Sequence, residues 1–318
     1  DLTGDDCREG LTAIVSVNPS NKTGSGYSAE PSLSSNGRFV AFTSFTSDLV
    51  AGDTNASSDV FVRDTLAETT VRVSLTSAGG QANGASDQPS ISRDGRYVAF
   101  RSDATNLVPG DTNLAGDVFV RDLRNRTTVR ASVATGGSQS VGGASSRPKL
   151  TGDGLQVVFE SAATNLVAAD ANGAPDVFLR DSFAGTTELV SVTTAEAGLT
   201  TGGRTPSVSG NGRFVTFTSM TNQIGSFTDS YDDVFLRDRA LGTTERISLS
   251  GDAASHPDGM SDLGTVSDDG RFVAFKSIAT NLSMSTDFAG GTDVFVRDRN
   301  FGATGLVSQN SADAPPPQ

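Results

Sequence analysis

Short apolar runs recur along this chain at a constant interval, and each follows a turn of the form Ser/Thr-x-Asn/Asp-Gly. The glycines of these turns are 58 or 59 residues apart, at Gly37, Gly95, Gly154, Gly212 and Gly270. Self-similarity at a fixed period is the sequence signature of a repeat architecture. Five copies in phase therefore predict five equivalent structural units.

Each copy contains four short segments with strand character. In the second copy they are Pro89 to Ser92, Tyr97 to Phe100, Asp117 to Asp122 and Thr127 to Ser132, which we name strands A, B, C and D. The Asp94-Gly95 turn between A and B accepts positive φ and suits a tight hairpin. Four antiparallel strands of this kind form one blade.

Strands B and C are almost continuously apolar, which indicates burial on both faces of the sheet. Blades stacked around an axis provide such burial, whereas a two-sheet sandwich would show an alternating pattern. The abundance of Gly (35 residues) and Phe (18 residues) agrees with many turns and strands. The predicted fold is all-β, a five-bladed β-propeller of four-stranded antiparallel blades, with six blades as the alternative.

The segments Ser92 to Phe100 and Ser267 to Phe275 read Ser-x-Asp-Gly-Arg-x-Val-Ala-Phe, and an Asp-Val-Phe-Val-Arg-Asp strand follows each. This pattern resembles the TolB-type, WD40-like (PD40) propeller repeat over residues 31–308. The resemblance implies the propeller fold. It is weak for function, because such repeats occur in binding proteins, in periplasmic assembly proteins and as non-catalytic domains of peptidases. The connections are longer here than in the usual repeat, and the familiar TolB propeller has six blades.

One domain is expected, with an N-terminal segment at 1–30 and a proline-rich tail at 309–318. The predicted blades are 31–88, 89–147, 148–205, 206–263 and 264–308. The segment Leu11 to Ser16 matches strand D, as in Thr69 to Ser74, yet the last copy has its own D-like segment, Thr304 to Ser308. Six D segments thus serve five A-B-C units.

Two arrangements of the surplus segment remain open. The N-terminal segment completes the last blade and the C-terminal one is displaced, or the surplus strand extends a sheet edge in the same ring or in a neighbouring copy. We hypothesise that residues 1–17 or 300–318 dock on a neighbouring copy, a head-to-tail contact that can propagate as a filament. The rival is a monomer whose extra strand covers its own last blade.

The long connections between strands B and C carry an acidic pattern on one rim of the ring. Alternate oxygen-bearing side chains on such a loop can converge on Ca²⁺, which prefers six to eight hard oxygen ligands. The alternative is that these side chains cap turns through nearby backbone N–H groups. The candidate calcium ligands are Asp53, Asn55 and Asp59, then Asp111, Asn113 and Asp117, then Asp170, Asn172 and Asp176. The pattern fades to Asp229, Asp232 and Asp233 in the fourth copy and to Asp287 and Asp293 in the fifth.

A formal net charge of −13 and a sequence pI near 4.5 argue against a nucleic-acid partner. No apolar stretch approaches the length of a membrane span. The chain starts at Asp1 rather than Met, so we expect that a leader was removed or the sequence was trimmed. The expected location is extracellular or periplasmic, in a bacterium or archaeon.

No catalytic constellation stands out. His256 is the only histidine, Cys7 the only cysteine, and there is no Gly-x-Ser-x-Gly elbow. Trp is absent and Tyr occurs three times, which disfavours a sugar-stacking lectin platform. The predicted function is a non-catalytic binding or self-assembly module of an extracellular fibre or surface, with a lectin-like or receptor-like propeller for a surface glycan or protein as the alternative. A glycoside-active enzyme is the least favoured class.

Overall fold

The computed structural model describes residues 12–20, 22–168, 170–225, 230–250, 257–283 and 291–308. These ranges contain twenty β-strands in five separate antiparallel sheets of four, each sheet made from four strands consecutive in sequence. The predicted all-β, five-bladed propeller is confirmed. Within the same ranges there is no helix that could cross a membrane.

Each blade has its strands in sequence order from the axis outward. Blades 1 and 2 comprise β1 Ser28–Leu33, β2 Phe39–Ser44, β3 Asp59–Asp64, β4 Thr69–Arg72, β5 Ser86–Ile91, β6 Tyr97–Ser102, β7 Asp117–Asp122 and β8 Thr127–Arg130. Blades 3 and 4 comprise β9 Ser145–Leu150, β10 Gln156–Ser161, β11 Asp176–Asp181, β12 Thr186–Leu189, β13 Arg204–Val208, β14 Phe214–Ser219, β15 Asp233–Asp238 and β16 Thr243–Arg246. Blade 5 comprises β17 Ser261–Val266, β18 Phe272–Ser277, β19 Asp293–Asp298 and β20 Ala303–Leu306.

The second and third strands of every blade pair without interruption and hold its centre. In blade 2, Phe100 lies opposite Phe119, with ring centroids 5.9 Å apart, and both side chains are fully buried. The other blades contain the equivalent stacked pairs, Phe42 with Phe61, Phe159 with Phe178, Phe217 with Phe235 and Phe275 with Phe295. Aromatic pairs of this kind bury a large apolar area at one point.

Apolar clusters join consecutive blades. Between blades 1 and 2, for example, Val60 and Val62 pack with Val98 and Phe100. Similar clusters lie between blades 2 and 3, 3 and 4, and 4 and 5. Burial on both faces explains why the B and C strands are apolar throughout.

The boundary between blades 5 and 1 differs from these four, since the described residues contain no apolar cluster that joins the two blades. Val294 on β19 is 43 % exposed. Its equivalents Val60, Val118, Val177 and Val234 are fully buried. The residues that the structure describes therefore leave one face of blade 5 uncovered.

The C-terminal D-like segment forms β20 and completes blade 5 by pairing with β19. The arrangement in which the N-terminal segment completes the last blade and the C-terminal one is displaced is thus wrong. At the N-terminus, residues 12–16 form no strand, and Val17 bridges Thr23 next to blade 1. The termini 1–11 and 309–318, which include Cys7, lie outside the described residues, as does His256.

Candidate functional site: the acidic loops and the central channel

The acidic loops connect the second and third strands of blades 1 to 3, and each brings its predicted residues together. In blade 1, Asn55 Nδ2 donates to Asp59 at 2.9 Å, and Asn55 Oδ1 accepts the N–H of Ser57 at 3.1 Å. The Ser74 hydroxyl donates to the second oxygen of Asp59 at 2.5 Å. The asparagine therefore caps a turn, as the alternative interpretation expects.

An arginine from the fourth strand lies between the two carboxylates of this loop in blades 1 and 2. Arg130 Nη1 is 3.1 Å from an oxygen of Asp111 and 3.1 Å from an oxygen of Asp117. Arg72 lies 3.8 Å from Asp53 and 3.7 Å from Asp59. All these side chains are almost wholly buried, so the guanidinium is the cation that neutralises the pair.

Blade 3 keeps the carboxylates and loses the arginine, because Leu189 occupies its position on the fourth strand. Asp176 accepts from the Ser191 hydroxyl at 2.5 Å and from Asn172 Nδ2 at 2.7 Å. Burial raises the pKa of Asp176 to about 6, and it also raises the pKa of Asp170. Oδ1 of Asp170 is buried and has no hydrogen-bond partner.

The faded copies of the pattern are arranged differently. Asp233 of blade 4 pairs with Arg246 at 2.8 Å, and Asp232 pairs with Arg204. In blade 5, Asp293 accepts from the Ser308 hydroxyl at 2.5 Å. Asp229 and Asp287 lie outside the described residues. In the described ranges, no three His, Cys, Asp or Glu side chains group closely enough to hold a metal by themselves, and calcium binding stays a prediction.

A second candidate site, which the sequence reasoning missed, is the central channel. The first strands of all five blades surround a cavity of about 440 Å³. Each of these strands presents to the cavity a residue with φ between 49° and 55°, in the left-handed region. The five residues are Glu30, Gln88, Arg147, Thr205 and Leu263. A β-bulge at this point shifts the strand register in every blade.

Side chains in the channel, and Glu160 on the second strand of blade 3, accept backbone N–H groups of three of these residues. Glu30 accepts the N–H of Gln88 at 2.8 Å, and Gln88 Oε1 accepts the N–H of Arg147 at 2.7 Å. Glu160 accepts both the N–H of Thr205 at 3.1 Å and Arg147 Nη1 at 3.0 Å. The acidic groups of the channel are thus engaged in holding consecutive blades together.

Lys149 is the exception among the residues that line the channel. The same position in blades 1 and 2 holds Ser32 and Ser90, whose hydroxyls accept N–H groups of the next blade at 3.2 and 3.0 Å. The ammonium of Lys149 makes no hydrogen bond or ion pair with another described residue, and burial lowers its pKa, against the opposing effect of Glu30. A comparison of the five repeats position by position would have singled out this lysine.

One end of the channel is narrowed by the turns between the first and second strands. The N–H of Ser35 donates to the carbonyl of Arg93, the N–H of Arg93 to Gly152, and the N–H of Gly152 to Gly210. The Arg93 side chain then pairs with Asp268 of blade 5. The cavity beside Lys149 therefore lies between this end and the rim that carries the long loops.

The fold matches solved β-propellers at low sequence identity. TolB from Acinetobacter baumannii matches with a TM-score of 0.51 and 14 % identity, over 89 % of this chain and 55 % of that chain. A protein assigned as TolB from Agrobacterium tumefaciens gives 0.53 and 13 %, over 88 % and 80 %. A puromycin-hydrolyzing peptidase of Mycobacterium tuberculosis gives 0.54 and 12 %, over 88 % and 38 %.

The chain thus spans just over half the length of the Acinetobacter TolB. No family model and no curated protein sequence matches it. At these identities the likeness shows the fold alone, because one fold hosts many functions. The chain has a β-propeller fold like that of TolB.

Proposed function

We propose that this protein is a non-catalytic binding propeller that takes an anionic group, the carboxylate of a peptide or protein, into its central channel. The observation that carries the proposal is the ammonium of Lys149 on the channel wall, which has no hydrogen bond or ion pair with another described residue. The Lys149 side chain is exposed to the cavity, and a cation in a cleft with low-dielectric walls attracts an anion more strongly than the same cation does on an open surface.

The other charged groups of the channel leave Lys149 available. Glu30 already accepts from Gln88 and from the Thr43 hydroxyl at 2.9 Å, and Glu160 is paired with Arg147. Lys149 therefore offers three donors to an incoming acceptor.

The lining of the channel supports binding rather than catalysis. It consists mainly of Pro, Ser, Thr and Gly together with Glu30, Gln88, Arg147 and Lys149. No nucleophile in this lining is hydrogen-bonded to a histidine or carboxylate base, the geometry that covalent catalysis requires. An extracellular or periplasmic location remains part of the proposal.

The test compares Lys149→Ser, which copies blades 1 and 2, with Lys22→Ser, which removes the same charge from an exposed loop. Fluorescence polarisation with a library of acidic peptides, each with a free or amidated C-terminus, reports binding. We expect at least a tenfold loss of affinity in Lys149→Ser and none in Lys22→Ser. Saturable glycan binding that Lys149→Ser leaves unchanged would favour the lectin-like alternative, and substrate turnover would overturn the non-catalytic assignment.

A second candidate function is head-to-tail self-assembly, which the uncovered face of blade 5 favours. Val294 and Phe272 are 43 % and 41 % exposed there. At the opposite end of the series, Leu33 of blade 1 is 61 % exposed, whereas its equivalents Ile91 and Leu150 are buried. Each contact between neighbouring blades joins two different faces, and blade 5 exposes one of these faces while blade 1 exposes the other. A second copy of the chain could therefore pack its blade 1 against blade 5 of the first copy.

Light scattering after size exclusion tests self-assembly. We expect concentration-dependent oligomers for the wild type, loss of oligomers in Val294→Glu, and no change in Val129→Glu, which alters an exposed residue of β8. Deletion of residues 1–17 shows whether the N-terminal segment is needed for oligomers in addition to this face of blade 5. A monomer at high concentration, with and without calcium, would reject assembly.

A further inference from the structure

The five blades differ at one position on the fourth strand, directly opposite the buried phenylalanine of the third strand. Arg72, Arg130 and Arg246 lie opposite Phe61, Phe119 and Phe235 in blades 1, 2 and 4. In blade 3, Leu189 lies opposite Phe178 and packs against the apolar cluster shared with blade 2. Blade 3 therefore lacks the arginine at this position, as does blade 5, where Leu306 lies opposite Phe295.

The carboxylates that the arginine serves are nevertheless kept in blade 3. Asp176 is fully buried and Asp170 is only 9 % exposed. The hydrogen bonds from Ser191 and Asn172 to Asp176 repeat those of blades 1 and 2. No Lys or Arg of the described residues pairs with either carboxylate, and Oδ1 of Asp170 has no donor at all.

A second difference affects the same loop. Gln81 and Gln139 each form an isolated β-bridge with a residue that follows the fourth strand. Their side chains contact the B-to-C loop: Gln81 Oε1 accepts the N–H of Thr54 at 3.3 Å, and Gln139 Oε1 accepts that of Thr112 at 3.3 Å. Gly198 occupies the equivalent position in blade 3 and has no side chain to contact the loop. Blade 3 therefore has Gly198 in place of the glutamine and Leu189 in place of the arginine of blades 1 and 2.

Two buried carboxylates without a counter-charge are costly, because each loses its hydration without gaining an oppositely charged partner. We propose that the loop of blade 3 binds a hard divalent cation, Ca²⁺, between Asp170 and Asp176, where blades 1 and 2 carry a built-in guanidinium. Carboxylate oxygens are the ligands that Ca²⁺ prefers, and water and backbone carbonyl oxygens complete its shell. The proposal follows from a comparison of the blades and does not depend on the function proposed for the channel.

The test replaces the ion by the arginine side chain that blades 1, 2 and 4 carry at this position. Leu189→Arg supplies the guanidinium, and Leu155→Arg adds the same charge to an exposed turn of the same blade as the control. Calorimetric titration with CaCl₂ after chelation counts bound ions at pH 7.5, and thermal melts report the response of stability, because a ligand that binds only the folded state raises the melting temperature.

We expect wild type and Leu155→Arg to gain stability with Ca²⁺. Leu189→Arg should bind one ion fewer than wild type, and without calcium it should melt at a higher temperature than wild type. Asp170→Asn, a nearly isosteric change, should weaken calcium binding at least tenfold. This variant provides the test if Leu189→Arg does not fold. An unchanged ion count in both variants, or no calcium response of the wild type in either measurement, would overturn the proposal.

Discussion

The carboxylate of Glu30 accepts the backbone N–H of Gln88 at 2.8 Å, across the boundary between blades 1 and 2. Gln88 adopts a φ of 55°, which directs its N–H away from the neighbouring strand. A side chain of one blade thus satisfies the backbone of the next at the point where the strand bulges.

Replacing Glu30 by Ala should lower the free energy of unfolding by about 1 kcal/mol, because the Gln88 N–H loses its acceptor. Glu30→Gln keeps an acceptor oxygen at the same place and should lose less. Urea denaturation followed by far-UV circular dichroism measures both. Equal losses in the two variants would mean that the charge, and not the hydrogen bond, stabilises this boundary.

Arg130→Met should destabilise the protein by roughly 3 to 5 kcal/mol, since it leaves Asp111 and Asp117 buried without a counter-charge. Chemical denaturation in the presence of a chelator gives the value. Arg124→Met, at an exposed position of the same blade, is the control and should change stability by less than about 0.5 kcal/mol. A loss below about 1 kcal/mol for Arg130→Met would show that the buried pair is neutralised in another way.

The ion pair of Arg96 and Asp122 should make the free energy of unfolding depend on pH. The hydrogen bond from Arg96, assisted by backbone N–H groups, holds the pKa of Asp122 below its usual value of 3.8. A carboxyl with a lower pKa in the folded state stabilises the fold above the unfolded pKa, and the effect is lost as the pH falls through the folded pKa.

Stability of the wild type should therefore fall more steeply below about pH 4 than stability of Asp122→Asn. Arg96→Gln removes the charge and keeps an amide donor, so it should give an intermediate slope. In blade 3 a neutral amide already serves this carboxyl, because Gln156, at the position of Tyr97, donates to Asp181 at 2.8 Å. Denaturation at a series of pH values tests the order. Parallel curves for all three proteins would contradict it.

The stacked phenylalanines should be the most sensitive part of the core. Phe119→Ala removes a fully buried ring that packs on Phe100 and should cost about 3 to 5 kcal/mol. Phe183→Ala, at a side chain that is 89 % exposed, should change stability by less than about 0.5 kcal/mol. Similar losses in both variants would be inconsistent with the blade packing.

The sequence predicted strands B and C accurately because their apolar runs repeat five times. The strand predicted at Asp117 to Asp122 is β7, and the strand predicted at Tyr97 to Phe100 extends to Ser102 as β6. Strand A begins earlier than the sequence predicts, because β5 starts at Ser86 and not at Pro89. The first residues of β5 are polar and pair through the backbone, so they give no apolar signal in the sequence.

Site prediction was less complete for a physical reason. The spacing of the loop residues predicted that Asp111, Asn113 and Asp117 lie close together, as they do. Arg130 lies on the next strand, β8, so the spacing within the loop gave no sign of its contact with Asp117. The side chain of Lys149 reaches the channel only because five distant strands converge there. The uncovered face of blade 5 depends on how the ring closes, which the repeat itself does not specify.

Because blades 1 and 5 each share an apolar cluster with one neighbour among the described residues, while blades 2, 3 and 4 each share one with two, cooperativity along the series is uneven. In a linear repeat, the stability of a unit is approximately its own contribution plus those of its interfaces. Transient opening should begin at blades 5 and 1 and proceed toward blade 3, so amide hydrogens of β18 and β2 should exchange with solvent before those of β10. Under heat or force the chain would behave as a stack that frays from its two ends, although its strands form a ring.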